Sequence, residues 1–142
     1  MAYKVFVDAN VILDFTLKRE NYNDAKKIIE LILQGKLLGF VTPAIIHIVG
    51  YWLTKAYGTK KAKEIILALL IDISIIDISH AITITALHSK INDIEDALQY
   101  YTALENKLEY FISEDKPLKK YSIPNLPIYN VKEFLKLFFG EL

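Results

Sequence analysis

Apolar positions follow two rhythms along this chain. Short runs rich in β-branched and aromatic residues, at 3–7, 37–41, 71–78, 109–112 and 126–129, read as strands. Between them, apolar residues recur at helical spacing, as at Ala25, Ile28, Ile29 and Ile32. Helices are predicted over 11–17, 21–33, 43–57, 60–69, 80–89, 94–105 and 131–139, with 113–121 a loop or a partial helical turn. Their ends carry the expected punctuation. Asn21 or Asn23 caps the second helix and Gly35 closes it, Thr42-Pro43 opens the third and Gly58 stops it, and Thr59, Ser79, Asn92-Asp93 and Asn130 open the later ones.

Strands that alternate with helices, without hairpin turns, imply an α/β protein with a mostly parallel central sheet and helices on both faces. The 142 residues suffice for a single domain, 1–142, with a real core, and neither an internal repeat nor a linker interrupts it. The chain is 53% hydrophobic, but charges break up every apolar stretch before it reaches the length of a membrane span. It has no cysteine, so no disulfide framework or thiolate metal site can form. No secretory leader is legible at the N-terminus, and a cytoplasmic protein is the expectation. Neither GxGxxG nor GxxxxGK[ST] occurs, which sets aside dinucleotide enzymes and P-loop NTPases. Basic and acidic residues both number 17, a balance that argues against binding nucleic acid through bulk charge alone. It leaves room for a local basic rim, since the lysines cluster (Lys60-Lys61-Lys63, Lys116-Lys119-Lys120).

The candidate chemistry is acidic. Asp8 follows the first strand directly, Asp115 follows the strand ending Phe111-Ile112, and Asp93 and Asp96 share the first turn of a helix. Ligands of open α/β sheets bind beyond the carboxyl ends of the strands, where these residues are expected. Each has a plainer role as well: Asp8 and Asp93 as helix caps, Asp115 as a turn residue. Several carboxylates in one crevice repel unless a cation neutralises them, and hard oxygen ligands select Mg²⁺ or Mn²⁺. Such an ion binds phosphate oxygens and acidifies water, which points to metal-assisted phosphodiester hydrolysis.

Three stretches, Val7-Asp8-Ala9-Asn10-Val11-Ile12-Leu13-Asp14, Asp93-Ile94-Glu95-Asp96-Ala97-Leu98-Gln99 and Phe111-Ile112-Ser113-Glu114-Asp115, resemble the successive signatures of PIN domains, among them VapC-like toxins. The resemblance spans nearly the whole chain. It implies a three-layer α/β/α sandwich, ribonuclease activity with Mg²⁺ or Mn²⁺, a homodimer, and a small antitoxin as partner. On it, Asp8, Asp96 and Asp115 are the metal-binding and catalytic acids. Asn10 holds the site in shape, the Ser113 hydroxyl completes it together with Asp115, and Asp93 is the additional acid of a D-x-E-D-A subset. Glu95 is expected to point to another face.

One position departs from that pattern. PIN ribonucleases usually carry a glutamate on the helix after the second strand, where this chain has His47, and no acid lies between Glu30 and Glu64. An imidazole can reach a metal or, protonated, a phosphate, but it supplies no negative charge. The alternative is therefore a catalytically weak or inactive PIN-like module that binds RNA or protein. Other families fit less well. Haloacid dehalogenase-type phosphatases need an acid at the position of Asn10, and receiver domains need an acidic pair after the first strand. Tyr51, Trp52, Leu53, Tyr57, Phe134, Leu137, Phe138 and Phe139 exceed the needs of a small core, and the reading open for them is either core or an interface for a second copy or an antitoxin segment.

Overall fold

The computed structural model describes residues 2–140. In chain order the elements are β1 (Tyr3–Val7), α1 (Ala9–Thr16), α2 (Tyr22–Leu33), β2 (Leu37–Val41), α3 (Pro43–Tyr57), α4 (Thr59–Leu69) and β3 (Ile73–Ile75). There follow α5 (His80–His88), α6 (Ile94–Glu105), β4 (Tyr110–Ile112), α7 (Lys116–Lys119), β5 (Ile128–Tyr129) and α8 (Val131–Gly140). The strands form one sheet in the order β3-β2-β1-β4-β5, every pair parallel.

That order decides where a site can form. The chain steps outward from β1 to β2 to β3, then returns across the sheet to β4 on the other side of β1. Because parallel crossovers are right-handed, the outward steps put α1 to α4 on one face and the return puts α5 and α6 on the other. The helix contacts agree: α1 packs on α2 and α3, α3 on α4, and α5 on α6, while α8 returns to lie against α2. The order reverses between β1 and β4, and a crevice opens there at the carboxyl ends of the strands.

Val5, Phe6 and Val7 of β1 are fully buried, as a central strand covered on both faces requires. The rings of Phe6 and Phe111 stack 4.6 Å apart across the β1–β4 pair. The predicted inner face of α2 (Ala25, Ile28, Ile29, Ile32) is buried, and α2 lies so close to β2 that a Cβ on Gly39 would stand 2.7 Å from Ile32 Cδ1. Among the described residues, no helix is long and apolar enough to cross a membrane.

Several predicted boundaries shift. The strand expected over 71–78 shrinks to Ile73–Ile75. β3 is an edge strand with β2 as its one neighbour, and the backbone bond from Ile76 to the Val41 carbonyl (2.8 Å) ends the pairing where β2 ends. The last strand likewise keeps only Ile128–Tyr129 of 126–129. Thr59 does not cap α4: Gly58, at φ +85°, serves as both the last cap of α3 and the first of α4, a conformation that favours glycine. Gly35 lies one residue beyond the C-cap Gln34, at φ +73°. The segment 113–121 contains the short helix α7.

Of the surplus apolar residues, Leu53 and Phe134 are core, whereas Tyr51 (51%), Trp52 (47%), Tyr57 (45%) and Phe139 (51%) remain exposed.

Thr42 ties the two helical layers together. Its hydroxyl caps α3 by accepting from Ile45 N (3.3 Å) and donates to Oε1 of buried Gln99 on α6. Among the described residues, Gln99 Nε2 has no hydrogen-bond partner. Thr42→Val, nearly isosteric, removes the cap and strands the Gln99 carbonyl. We expect a loss of about 2–3 kcal/mol in urea unfolding, the sum of a lost cap and a buried unpaired acceptor.

Candidate active site

The crevice between β1 and β4 is built by backbone register first. Val7 lies opposite Ile112 in the parallel pair, and the Asp8 N–H extends the ladder to the Ile112 carbonyl (3.0 Å). Asp8 and Ser113, each one residue past its strand, are thereby brought side by side. Ser113 Oγ donates to Asp8 Oδ2 at 2.6 Å, and the Ala9 N–H donates to Asp8 Oδ1 at 2.8 Å. Ser113 is itself fixed: its N–H bonds the Tyr129 carbonyl (3.0 Å) and its Oγ accepts from Asp115 N (3.1 Å).

Asp115 and Asp93 cap helices at the border of the crevice. Asp115 Oδ1 accepts from Leu118 N (3.0 Å) at the start of α7, and Asp93 Oδ1 accepts from Asp96 N (2.9 Å) at the start of α6. The cap reading of both is met, and it aims each helix start at the crevice. Four carboxylates, Asp8, Asp93, Asp96 and Asp115, lie close enough to perturb one another.

The electrostatics record that crowding. Burial raises the Asp8 carboxyl above its ordinary range, and the charges of Asp115 and Asp93 add to it, while the bonds from Ser113 and Ala9 pull the other way. Asp96 is pushed up to about 8, first by burial, then by a hydrogen bond shared with Asp115, then by the charges of Asp115, Asp93 and Asp8. At neutral pH without a cation, Asp96 therefore holds a proton and shares it with Asp115.

The remaining predicted residues lie further out. Asn10 is exposed, and its side-chain and backbone oxygens face Arg19 Nη2 (3.3 and 3.4 Å). Arg19, the chain's single arginine, is paired in turn with buried Asp14 (2.9 Å). His47, exposed on the second turn of α3, stands at the rim, near enough to Glu95 for their charges to interact.

Glu95, exposed on the neighbouring face of α6, is within electrostatic reach of the acids: burial and the charges of Asp93 and Asp8 raise its carboxyl, and His47 lowers it. Gln99 and Arg19 escaped the sequence reading. Gln99, three residues after Asp96, carried a helical-spacing signal that could have placed it beneath the site.

The donors present are hard oxygens, the chemistry a divalent cation needs, and their mutual repulsion is the kind a cation relieves. The arrangement is open rather than caged: among the described residues, no group of three or more His, Asp or Glu side chains is already gathered to hold an ion. Ser113→Ala is expected to lower any cation-dependent turnover by about 10- to 100-fold with the fold intact, because the bond that orients Asp8 is lost. Steady-state kinetics beside circular dichroism checks this.

The sequence profile of the PIN domain matches residues 4–117. No curated protein matches the chain. Three solved structures share the fold at a TM-score of 0.66. VapBC2 from Rickettsia felis, bound to a DNA fragment from its promoter, is 16% identical over 89% of this chain and 98% of that one. Mycobacterium tuberculosis VapC20, a toxin that cleaves the sarcin–ricin loop, is 10% identical over 84% and 97%. A toxin–antitoxin complex from Klebsiella pneumoniae is 20% identical over 89% and 98%. At these identities the structures establish the α/β/α fold, and the profile covers most of the chain, carrying all three acidic stretches: the chain belongs to the PIN domain family.

Proposed function

We propose that this chain is a divalent-cation-dependent endoribonuclease acting as a single domain, the toxin of a toxin–antitoxin pair. The observation that carries the reading is the convergence of Asp8, Asp93, Asp96 and Asp115 at the β1–β4 switch point, crowded enough to hold a proton on Asp96.

In this reading Asp8, Asp96 and Asp115 would hold a Mg²⁺ or Mn²⁺ ion. The ion, when bound, supplies positive charge to a phosphodiester and acidifies water. The chain's own groups do the rest. Ser113 orients Asp8 through its 2.6 Å bond, Asp93 fixes the first turn of α6 and with it Asp96, and Asn10 braces α1 through Arg19. His47 takes the rim position and contacts a substrate phosphate when protonated.

An antitoxin partner is suggested by the Klebsiella neighbour, a toxin–antitoxin complex, and by VapBC2 from Rickettsia felis. A homodimer is favoured by exposed Leu67, Ile71 and Ile75, at the end of α4 and along the open edge strand β3. A cytoplasmic location follows from an RNA substrate.

The test is incubation of a mixed single-stranded and structured RNA pool with Mn²⁺, Mg²⁺ or chelator. Cleavage in metal and none in chelator is expected. A second reading, a PIN-like RNA- or protein-binding module without turnover, is favoured by His47 at the usual glutamate position. Folded protein that binds RNA but cleaves in no metal would establish it.

A further inference from the structure

Helix α3 carries a stripe that the acidic site does not use. His47, Tyr51 and Lys55 follow at intervals of four residues, so they line one face, and all three border a groove of ≈ 450 Å³ between α3 and α4. Tyr51 and the neighbouring Trp52 are half exposed, their rings in an edge-to-face pair with centroids 5.2 Å apart. Lys55 Nζ lies over both, 4.9 Å from the Tyr51 ring and 5.9 Å from that of Trp52. The stripe begins on the side of the acids: Thr42, at the start of α3, bonds Gln99 on α6, three residues after Asp96, and His47 lies within electrostatic reach of Glu95.

Charge says what this face fits. Between Glu30 and Glu64 the chain has no acidic residue and five lysines, Lys36, Lys55, Lys60, Lys61 and Lys63. Lys63, on α4, lines the same groove as Lys55. Exposed aromatic rings interleaved with cations, beside a groove whose lining holds no carboxylate, complement stacked bases and their phosphates. Duplex RNA offers no free base faces to such rings.

We propose that the α3 stripe is a base-stacking track for single-stranded RNA, holding the nucleotides adjacent to the phosphodiester presented to the carboxylates. The proposal rests on the ribonuclease reading and specifies its substrate class. A base stacking on these rings displaces the Lys55 ammonium, which is then free to meet a phosphate. The exchange is favourable because stacking a base is worth more than an exposed cation–π contact.

Trp52 is the only tryptophan, so its emission reports on the track directly. The full chain would be titrated in chelator with a fluorescently labelled single-stranded oligoribonucleotide of about 12 nucleotides, and with its duplex. Expected is saturable quenching of Trp52 by the single strand and not by the duplex. Tyr51→Leu and Trp52→Leu should weaken binding, read by anisotropy of the labelled strand, by about tenfold or more. Lys55→Gln, a change at an exposed site, should lower the salt slope of binding by about 1.

If the strand binds by anisotropy while Trp52 emission stays still and all three variants bind like the parent, the track is wrong. The rings are then a protein-docking face or plain surface, and Mn²⁺-dependent cleavage would leave the ribonuclease reading standing. Equal quenching by the duplex also overturns it. With neither binding nor cleavage of any RNA, the ribonuclease reading fails and takes the track with it.

Discussion

Asp8→Asn is expected to reduce RNA cleavage in Mn²⁺ or Mg²⁺ by about 10³-fold, since a cation's charge stabilisation is worth several kcal/mol and each 1.36 kcal/mol is a factor of ten. The fold should survive. Asparagine keeps the shape of the side chain and an oxygen able to accept from Ser113 Oγ or Ala9 N, the two groups that bond Asp8. Burial already disfavours the Asp8 anion, so removing its charge relieves a cost rather than adding one. The thermal midpoint of the apo variant should equal or exceed that of the parent. Cleavage assays run beside thermal melts check both halves. A variant that cleaves at parental rate would remove Asp8 from the chemistry.

The second large effect is on pH and cation binding together. Asp96 titrates near 8 in the fold against 3.8 for the free side chain. Between those values the folded chain holds a proton that the unfolded chain has released. Stability of the cation-free protein should therefore be fullest below about pH 4 as far as this group decides it, and decline as pH rises through 8. The half-buried position of Asp96 means that solvent screens part of that change. A cation must displace this proton, so Mn²⁺ affinity should climb by up to about tenfold per pH unit below 8 and level off above it. Isothermal titration in buffers of differing ionisation enthalpy would count the proton released. Affinity that is flat from pH 6 to 9, with no proton released, would place the ion away from Asp96.

The candidate site was legible in the sequence to the extent that single residues announce themselves. An aspartate closing an apolar run, a D-x-E-D-A turn and a Ser-x-Asp after a strand each mark a strand or helix end, and caps such as Asp93 and Asp115 have a local reason to be acidic beside the proposed one. Glu95 and Gln99 were not legible in the same way. Whether Glu95 comes within reach of the acids depends on how α6 is aimed, and Gln99 has a partner in Thr42 only because two helical layers meet there.

The sequence by itself determined the order and type of the elements, the parallel sheet and the acids at its strand ends. Those follow from periodicity, capping and turn chemistry, all interactions between near neighbours. Only the tertiary structure decided which strands neighbour β1. Because β4 rather than β3 lies beside it, Asp8 meets Ser113 across a separation of 105 residues, and the four carboxylates come near enough to perturb one another. It also decided that Leu53 and Phe134 are core while Tyr51 and Trp52 face solvent, since the 3.6-residue turn of α3 and the position of its neighbours choose which ring is covered. Strand length was settled there too. An apolar run such as 71–78 supplies β-propensity, but a ladder extends only as far as a partner strand runs beside it, and β2 ends at Val41.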